Sequence, residues 1–179
     1  MADNDSAAAP VSRGAIALVA LCHEYCLTLD AASEATSPRH FARRILGLLP
    51  RIYITAFDLP DAPEDAEDIP ATLDEEQYAA VAADLSRLFG EHDTYLEAFH
   101  EDMKYSETPV AASLSEQLAD LYQAFYDFTA MVRELPADSI DGAVAEMAGR
   151  FRDYWSENLC TAPRVINYLN TSRARADED

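Results

Sequence analysis

The chain has 179 residues, 49% of them apolar, enough to enclose one hydrophobic core but not two, so one domain is expected. A formal charge of −20, from 33 acids against 13 bases, repels nucleic-acid phosphates and anionic lipid and so excludes both as direct partners. The same charge would attract a basic protein or a metal cation, although a solvated acidic surface is its commoner meaning.

In chain order, residues 1–12 read as a disordered leader. Asp3 and Asp5 make it acidic where a signal peptide needs positive charge, and His23-Glu24 ends the apolar run Ala15 to Cys22 well short of the ~18 residues of a spanning helix. Cys22 follows Leu21 rather than a small residue, which also argues against a lipoprotein anchor, and a cytoplasmic protein with no membrane partner is expected. The first helix is predicted over Arg13 to Ala32, burying Ile16, Val19, Leu21, Cys22, Cys26 and Leu29. Cys22, Cys26 and Cys160 are an odd count, which disfavours a disulfide framework, and the pair four apart with His23 suits a helical core better than a zinc site.

Ser37 can cap a second helix with Pro38 in its first turn, carrying Phe41, Ile45, Leu48, Ile52 and Ala56 on one face, and Pro50 predicts a kink or break within it. Residues 58–71 form an acidic loop, with three prolines after Leu59 and five acids from Asp61 to Asp68 with no base among them, expected to be exposed and mobile. Thr72 and Glu75 suggest a capping box for a third helix with Tyr78, Val81, Ala82, Leu85, Leu88 and Phe89, ended by Gly90. A short helix is expected from Asp93 to Met103, with Tyr95, Leu96 and Phe99 on its apolar side.

The strongest periodicity follows: Leu114, Leu118, Leu121, Phe125, Phe128, Val132 and Leu135, with Ser113 and Glu116 as a capping box. After the turn at Leu135-Pro136, Asp138 or Ser139 can cap a sixth helix with Ile140, Val144, Met147, Phe151, Tyr154 and Trp155. Pro163 is expected to divide it from a last segment bearing Val165, Ile166 and Leu169. Residues 172–179 read as a disordered acidic tail. No segment shows strand alternation, so the fold class is all-α, a single-domain bundle of about six to seven helices over residues 13–171, up-and-down or nearly so.

Candidate functional residues concentrate between Gly90 and Ala111. Glu91, His92, Asp93, Tyr95, Glu97, Glu101, Asp102 and Tyr105 form a candidate recognition cluster. A structural role competes, since Asp93 or Thr94 can cap a helix, Glu97 can complete a capping box with Thr94, and Lys104 can pair with a neighbouring acid. Metal chemistry is the alternative, with His92, Asp93 and Glu97 as ligands. Glu97-x-x-His100 has the di-iron bundle spacing but no second copy, and His92-Asp93 resembles a phosphohydrolase doublet that would need His23 or His40 and Asp120 or Asp127. The nearest magnesium-type acidic motif, Glu64 to Asp68, lies in the loop, and neither a Gly-x-Ser-x-Gly turn nor a glycine-rich phosphate loop is present. Against the acidity, Arg39, Arg43, Arg44 and Arg51 with His40 make a basic patch on the second helix. His40, Arg44 and Arg51 fall near one face as a candidate anion patch, unless carboxylates of neighbouring helices neutralise them.

Glu91-His92-Asp93-Thr94-Tyr95-Leu96-Glu97, Glu101-Asp102-Met103-Lys104-Tyr105-Ser106, Thr108-Pro109-Val110-Ala111 and Leu118-Ala119-Asp120-Leu121-Tyr122-Gln123 together resemble the signature of a bacterial family catalogued as domain of unknown function 5063. Leu48-Leu49-Pro50 and Tyr154-Trp155 resemble further landmarks of that family, and the resemblance runs from the first helix to about Leu159. It implies a helical fold of this length with no assigned activity, and no functional residue carries over. The expectation for function is therefore a non-catalytic binding or adaptor module without cofactor, whose partner is an unidentified protein or small molecule. A helical metal-dependent hydrolase using Glu91, His92, Asp93 and Glu97 is the alternative, and exposed aromatics on the last segment would mark a homodimer face.

Overall fold

Ser12 starts the first helix, its hydroxyl accepting from the Ala15 amide at 3.1 Å, and α1 runs Arg13–Asp30 before tightening into a 3-10 turn, Ala31–Glu34. In the computed structural model the described residues are 11–61, 68–97 and 109–176, with side chains to residue 171. The first ten residues of the expected leader, the centre of the acidic loop and Glu101, Asp102 and Tyr105 lie outside them, as do Phe99, His100 and Lys104. The buried stripe of α1 is Ala15, Leu18, Leu21, Cys22, Tyr25, Cys26 and Leu29. Ile16, expected in the core, is 57% exposed, because it stands one position off that stripe.

The second helix, α2 (Pro38–Phe57), starts at Ser37, whose hydroxyl accepts from the His40 amide at 3.3 Å, and buries Phe41, Ile45, Leu48, Leu49, Ile52 and Ala56. It continues through Pro50 without a break. That proline is on the exposed side, where water can serve the carbonyl its ring leaves unbonded, while Leu49 and Ile52 pin the helix to the core.

The third helix, α3 (Glu75–Phe89), is capped by Asp74 rather than by Thr72; its carboxylate accepts from the Gln77 amide at 2.7 Å. Thr72 is engaged elsewhere, because its amide and hydroxyl and the Leu73 amide all donate to buried Asp127 Oδ1 at 2.8 Å. Gly90 ends α3 with φ +57°, a region that favours glycine.

Where a helix is expected from Asp93, the chain instead forms an antiparallel hairpin, β1 (Thr94–Glu97) with β2 (Val110–Ser113), Thr94 opposite Ser113 and Glu97 opposite Val110. Side chains alternate with period two: Thr94 and Leu96 face out, Tyr95 and Glu97 in. The Asp93 carbonyl accepts from the Leu114 amide at 2.8 Å, which ties this segment to the next helix instead of letting it propagate one of its own.

That next helix, α4 (Leu114–Glu134), carries the expected stripe, with Leu114, Leu118, Leu121, Phe125 and Phe128 buried and Ser113 accepting from the Glu116 amide at 3.2 Å. Neither the Asp138 nor the Ser139 side chain bonds an amide of the following helix; the Ser139 carbonyl accepts from the Ala143 amide at 3.2 Å, and its hydroxyl turns to Asp138. From residue 140 the chain is one continuous helical rod: α5 (Ile140–Arg150), a π turn (Phe151–Trp155) and α6 (Ser156–Ala176). Pro163 does not divide it, since buried Ala162, Val165 and Ile166 hold both sides in place, and α6 runs into the expected tail. The extra residue of the π turn brings Phe151 and Trp155 to the core and leaves Tyr154 76% exposed, against its expected place on the apolar face.

The described residues thus form a mostly helical fold of five helices, counting residues 140–176 as one, plus a two-stranded sheet, instead of six to seven helices and no sheet. Helix α1 packs on α2 and α4, α2 on α6, and α3 along α4. An aromatic chain links these layers, from Tyr25 to Phe125 and from Phe125 to Trp155 (both 5.1 Å), from Trp155 to Phe151 (4.9 Å) and from Phe151 to Tyr53 (5.0 Å). The loop ends dock beside the π turn, where Asp61 pairs with Arg152 at 2.9 Å and Asp68 with Arg150 at 3.1 Å, so the bases absent from the loop come from the other end of the chain.

Cys22 and Cys26 are enclosed in this core. Burial, with Asp30 nearby, pushes the Cys26 thiol from 9.0 up to about 12, and burial likewise raises Cys22 and the Tyr25 phenol well above their ordinary values. The folded state therefore keeps protons that the unfolded chain gives up, and stability falls as pH rises through this window. Denaturant melts should show stability undiminished by these groups below pH 9 and declining from about pH 9 toward 12, a slope that Cys26→Ala makes shallower.

Candidate functional site

The hairpin disperses the acidic cluster. Asp93, 8% exposed, accepts at Oδ1 from the Ser115 amide (2.7 Å) and at Oδ2 from the Ser115 hydroxyl (2.8 Å) and, more loosely, the Ser113 hydroxyl (3.4 Å). It thus caps α4 from outside and sets a negative charge at the positive end of that helix. Glu97, also buried, receives Arg164 of α6 at 3.3 Å on each carboxylate oxygen. Tyr95 is half-buried beside Glu97 and Gln117; burial first, then the Glu97 charge, raises its phenol to about 12.

His92 lies apart from these groups. It approaches exposed Glu91 at 3.6 Å and lines a cleft of about 30 Å³, about one water in size, with Arg39, Ala42, Phe89 and Leu169. Asp120 accepts the Tyr78 hydroxyl at 2.8 Å and Asp127 holds Thr72 and Leu73, so neither downstream aspartate joins His92. Among the described residues no three His, Cys, Asp or Glu side chains stand close enough together to hold a metal ion.

The arginines of α2 are placed differently. Arg39, His40, Arg43, Arg44 and Arg51 are all exposed, and among the described residues none of the four arginines forms an ion pair. Arg87, Arg150, Arg152 and Arg164, by contrast, each reach a carboxylate. The cause is local: α2 contains no acid, and its neighbour α1 offers only Glu24 and Asp30, the latter accepting the Tyr122 hydroxyl at 2.7 Å.

His40, Arg44 and Arg51 of the patch follow the α1–α2 seam through two grooves, while Arg39 lines the cleft beside His92. His40 and Arg44 line one of about 340 Å³ with Thr28, Thr36, Ser37 and Glu34, while Arg51 lies in another of about 350 Å³ whose other walls include Ala17, Ala20 and Ile54. Ile54 of the second groove is more than half exposed, as are Ile16 and Phe57, which lie close to its lining residues in sequence. Periodicity put Ile16 in the core and left Ile54 unassigned; its place two residues after buried Ile52 was the available signal. Helix α1 with its 3-10 turn (Arg13–Glu34, mean hydropathy 1.4) is long and apolar enough to cross a membrane by length and composition, and half of its most apolar window is buried in the bundle. Chemically, the seam offers guanidinium groups able to grip carboxylates or phosphates bidentately beside apolar surface.

No curated protein matches this chain. A crystal structure of protein BF1032 from Bacteroides fragilis is similar in fold, with a TM-score of 0.74 over 88% of this chain and 92% of that one at 24% sequence identity. The model of one protein family matches residues 10–172, nearly the whole chain, and the chain therefore belongs to the family described as Domain of unknown function (DUF5063).

Proposed function

We propose that this protein is a non-catalytic binding module that takes an acidic partner on the exposed side of α2. One observation carries this reading: in a chain of charge −20, four arginines of one helix stand exposed with no ion pair among the described residues. Intramolecular neutralisation was the competing account of the patch, and no carboxylate of a neighbouring helix reaches these groups among the described residues. Asp93 and Glu97 of the acidic cluster are engaged by Ser113, Ser115 and Arg164, which favours this reading over a hydrolase built on Glu91, His92, Asp93 and Glu97. The general acidity of the chain supports selectivity, because it repels acidic partners from most of the surface outside this face.

Titration of the full chain with a poly-glutamate peptide tests the reading. The wild type is expected to bind with an affinity that falls as salt rises, and the triple variant R39E/R43E/R44E to bind about tenfold more weakly or worse. Absence of binding, or equal binding by the triple variant, would overturn it.

A further inference from the structure

The second groove differs from the first in having an apolar wall. Ala17, Ala20, Leu21 and Glu24 of α1 and Arg51, Ile54 and Thr55 of α2 line it, Ile54 is 61% exposed, and Ile16 (57%) and Phe57 (65%) are exposed apolar side chains close to these residues in sequence; Glu24 is its one acid and makes no ion pair with Arg51 among the described residues. Small residues at 17 and 20 let another backbone approach closely, and Ile54, with the part of Phe57 that its stacking on Tyr53 leaves open, offers exposed apolar contact area. Farther along the same seam come Arg44 and His40 in the first groove. Apolar surface at one end and, at the other, arginines without an ion pair among the described residues is the complement of an amphipathic helix whose polar face is acidic.

We propose that the α1–α2 seam docks an acidic amphipathic helix of another protein, with its apolar side chains on Ile16, Ala20 and Ile54 and its carboxylates on Arg51 and Arg44. The proposal rests on the binding-module reading above and adds the shape and polarity of the partner. Charge decides between occupants. A second copy also carries −20, and seating its acidic surface on this face would be a head-to-tail contact, which closes only if its rotation allows. An anionic membrane meets the repulsion of the whole chain.

The experiment compares three peptides of equal length on the full chain by fluorescence anisotropy: a helix with leucines at i, i+3, i+4 and i+7 and glutamates elsewhere, its lysine counterpart, and poly-glutamate. The acidic amphipathic helix is expected to bind about tenfold more tightly than poly-glutamate, and the lysine version not at all. The exposed-site variant Ile54→Asp should cost the amphipathic helix about tenfold while leaving poly-glutamate binding within about twofold, and Arg51→Glu should weaken the helix likewise.

If the helix binds no better than poly-glutamate while poly-glutamate still binds, this inference fails and the broader reading stands; loss of both overturns the two together. Equal binding of the lysine version, preferential binding to anionic phosphatidylserine vesicles, or a dimer by sedimentation that Ile54→Asp dissolves would each overturn it as well.

Discussion

Replacing Asp93 by alanine is expected to destabilise the fold by about 3 kcal/mol. The carboxylate is 8% exposed and accepts three hydrogen bonds at the start of α4, two of them at 2.7 and 2.8 Å from Ser115. Alanine would leave the Ser115 amide without a partner in a site closed to water and remove a negative charge from the positive helix end. The substitution Asp93→Asn, which keeps one acceptor, should recover about half of the loss. Equilibrium unfolding in urea measures both variants. A side chain held for catalysis would behave in the opposite sense, because removing a buried active-site charge commonly leaves stability unchanged or raised.

Phe125→Ala should cost more, about 4 kcal/mol, because Phe125 is fully buried and its ring is the middle link between Tyr25 of α1 and Trp155 of the π turn. The loss has two parts, the transfer free energy of the ring and a cavity that packed neighbours on three elements fill poorly. Phe125→Leu should restore much of it. Tyr154→Ala supplies the contrast: its ring projects into solvent one position before Trp155, and its removal should leave the urea midpoint nearly unchanged.

The difference between Tyr154 and Trp155 also shows where the sequence is readable and where it is not. Helix α4 is plain from its residues because Leu114, Leu118, Leu121, Phe125 and Phe128 keep helical spacing and Ser113 caps it. A π turn shifts the face by one residue after Phe151, and nothing in the local pattern announces it, so Tyr154 is misplaced. The prolines mislead for a related reason. Pro50 and Pro163 carry a local penalty, but buried residues on both sides outweigh it, and tertiary packing lies beyond a reading of local signals.

The hairpin is the largest miss. Thr94, Tyr95, Leu96 and Glu97 alternate over only four residues, too few to register as a strand, and their partner Val110–Ser113 lies beyond twelve residues that hold three acids and one histidine. Asp93 caps α4 and Glu97 meets Arg164, so these two members of the apparent cluster join the hairpin to α4 and α6. The position of the basic patch on α2 is legible from spacing, whereas the absence of ion pairs to its arginines among the described residues depends on which helices pack beside it.

Recognition, on this reading, belongs to the arginines of α2 and architecture to the Asp93 cluster. Poly-glutamate binding measured on Arg44→Glu and Asp93→Asn under conditions where both are folded tests that division most directly. Asp93→Asn is expected to bind as the wild type does despite its lower stability, and Arg44→Glu to lose about fivefold or more. Undiminished binding by Arg44→Glu, or a selective loss in folded Asp93→Asn, would contradict it.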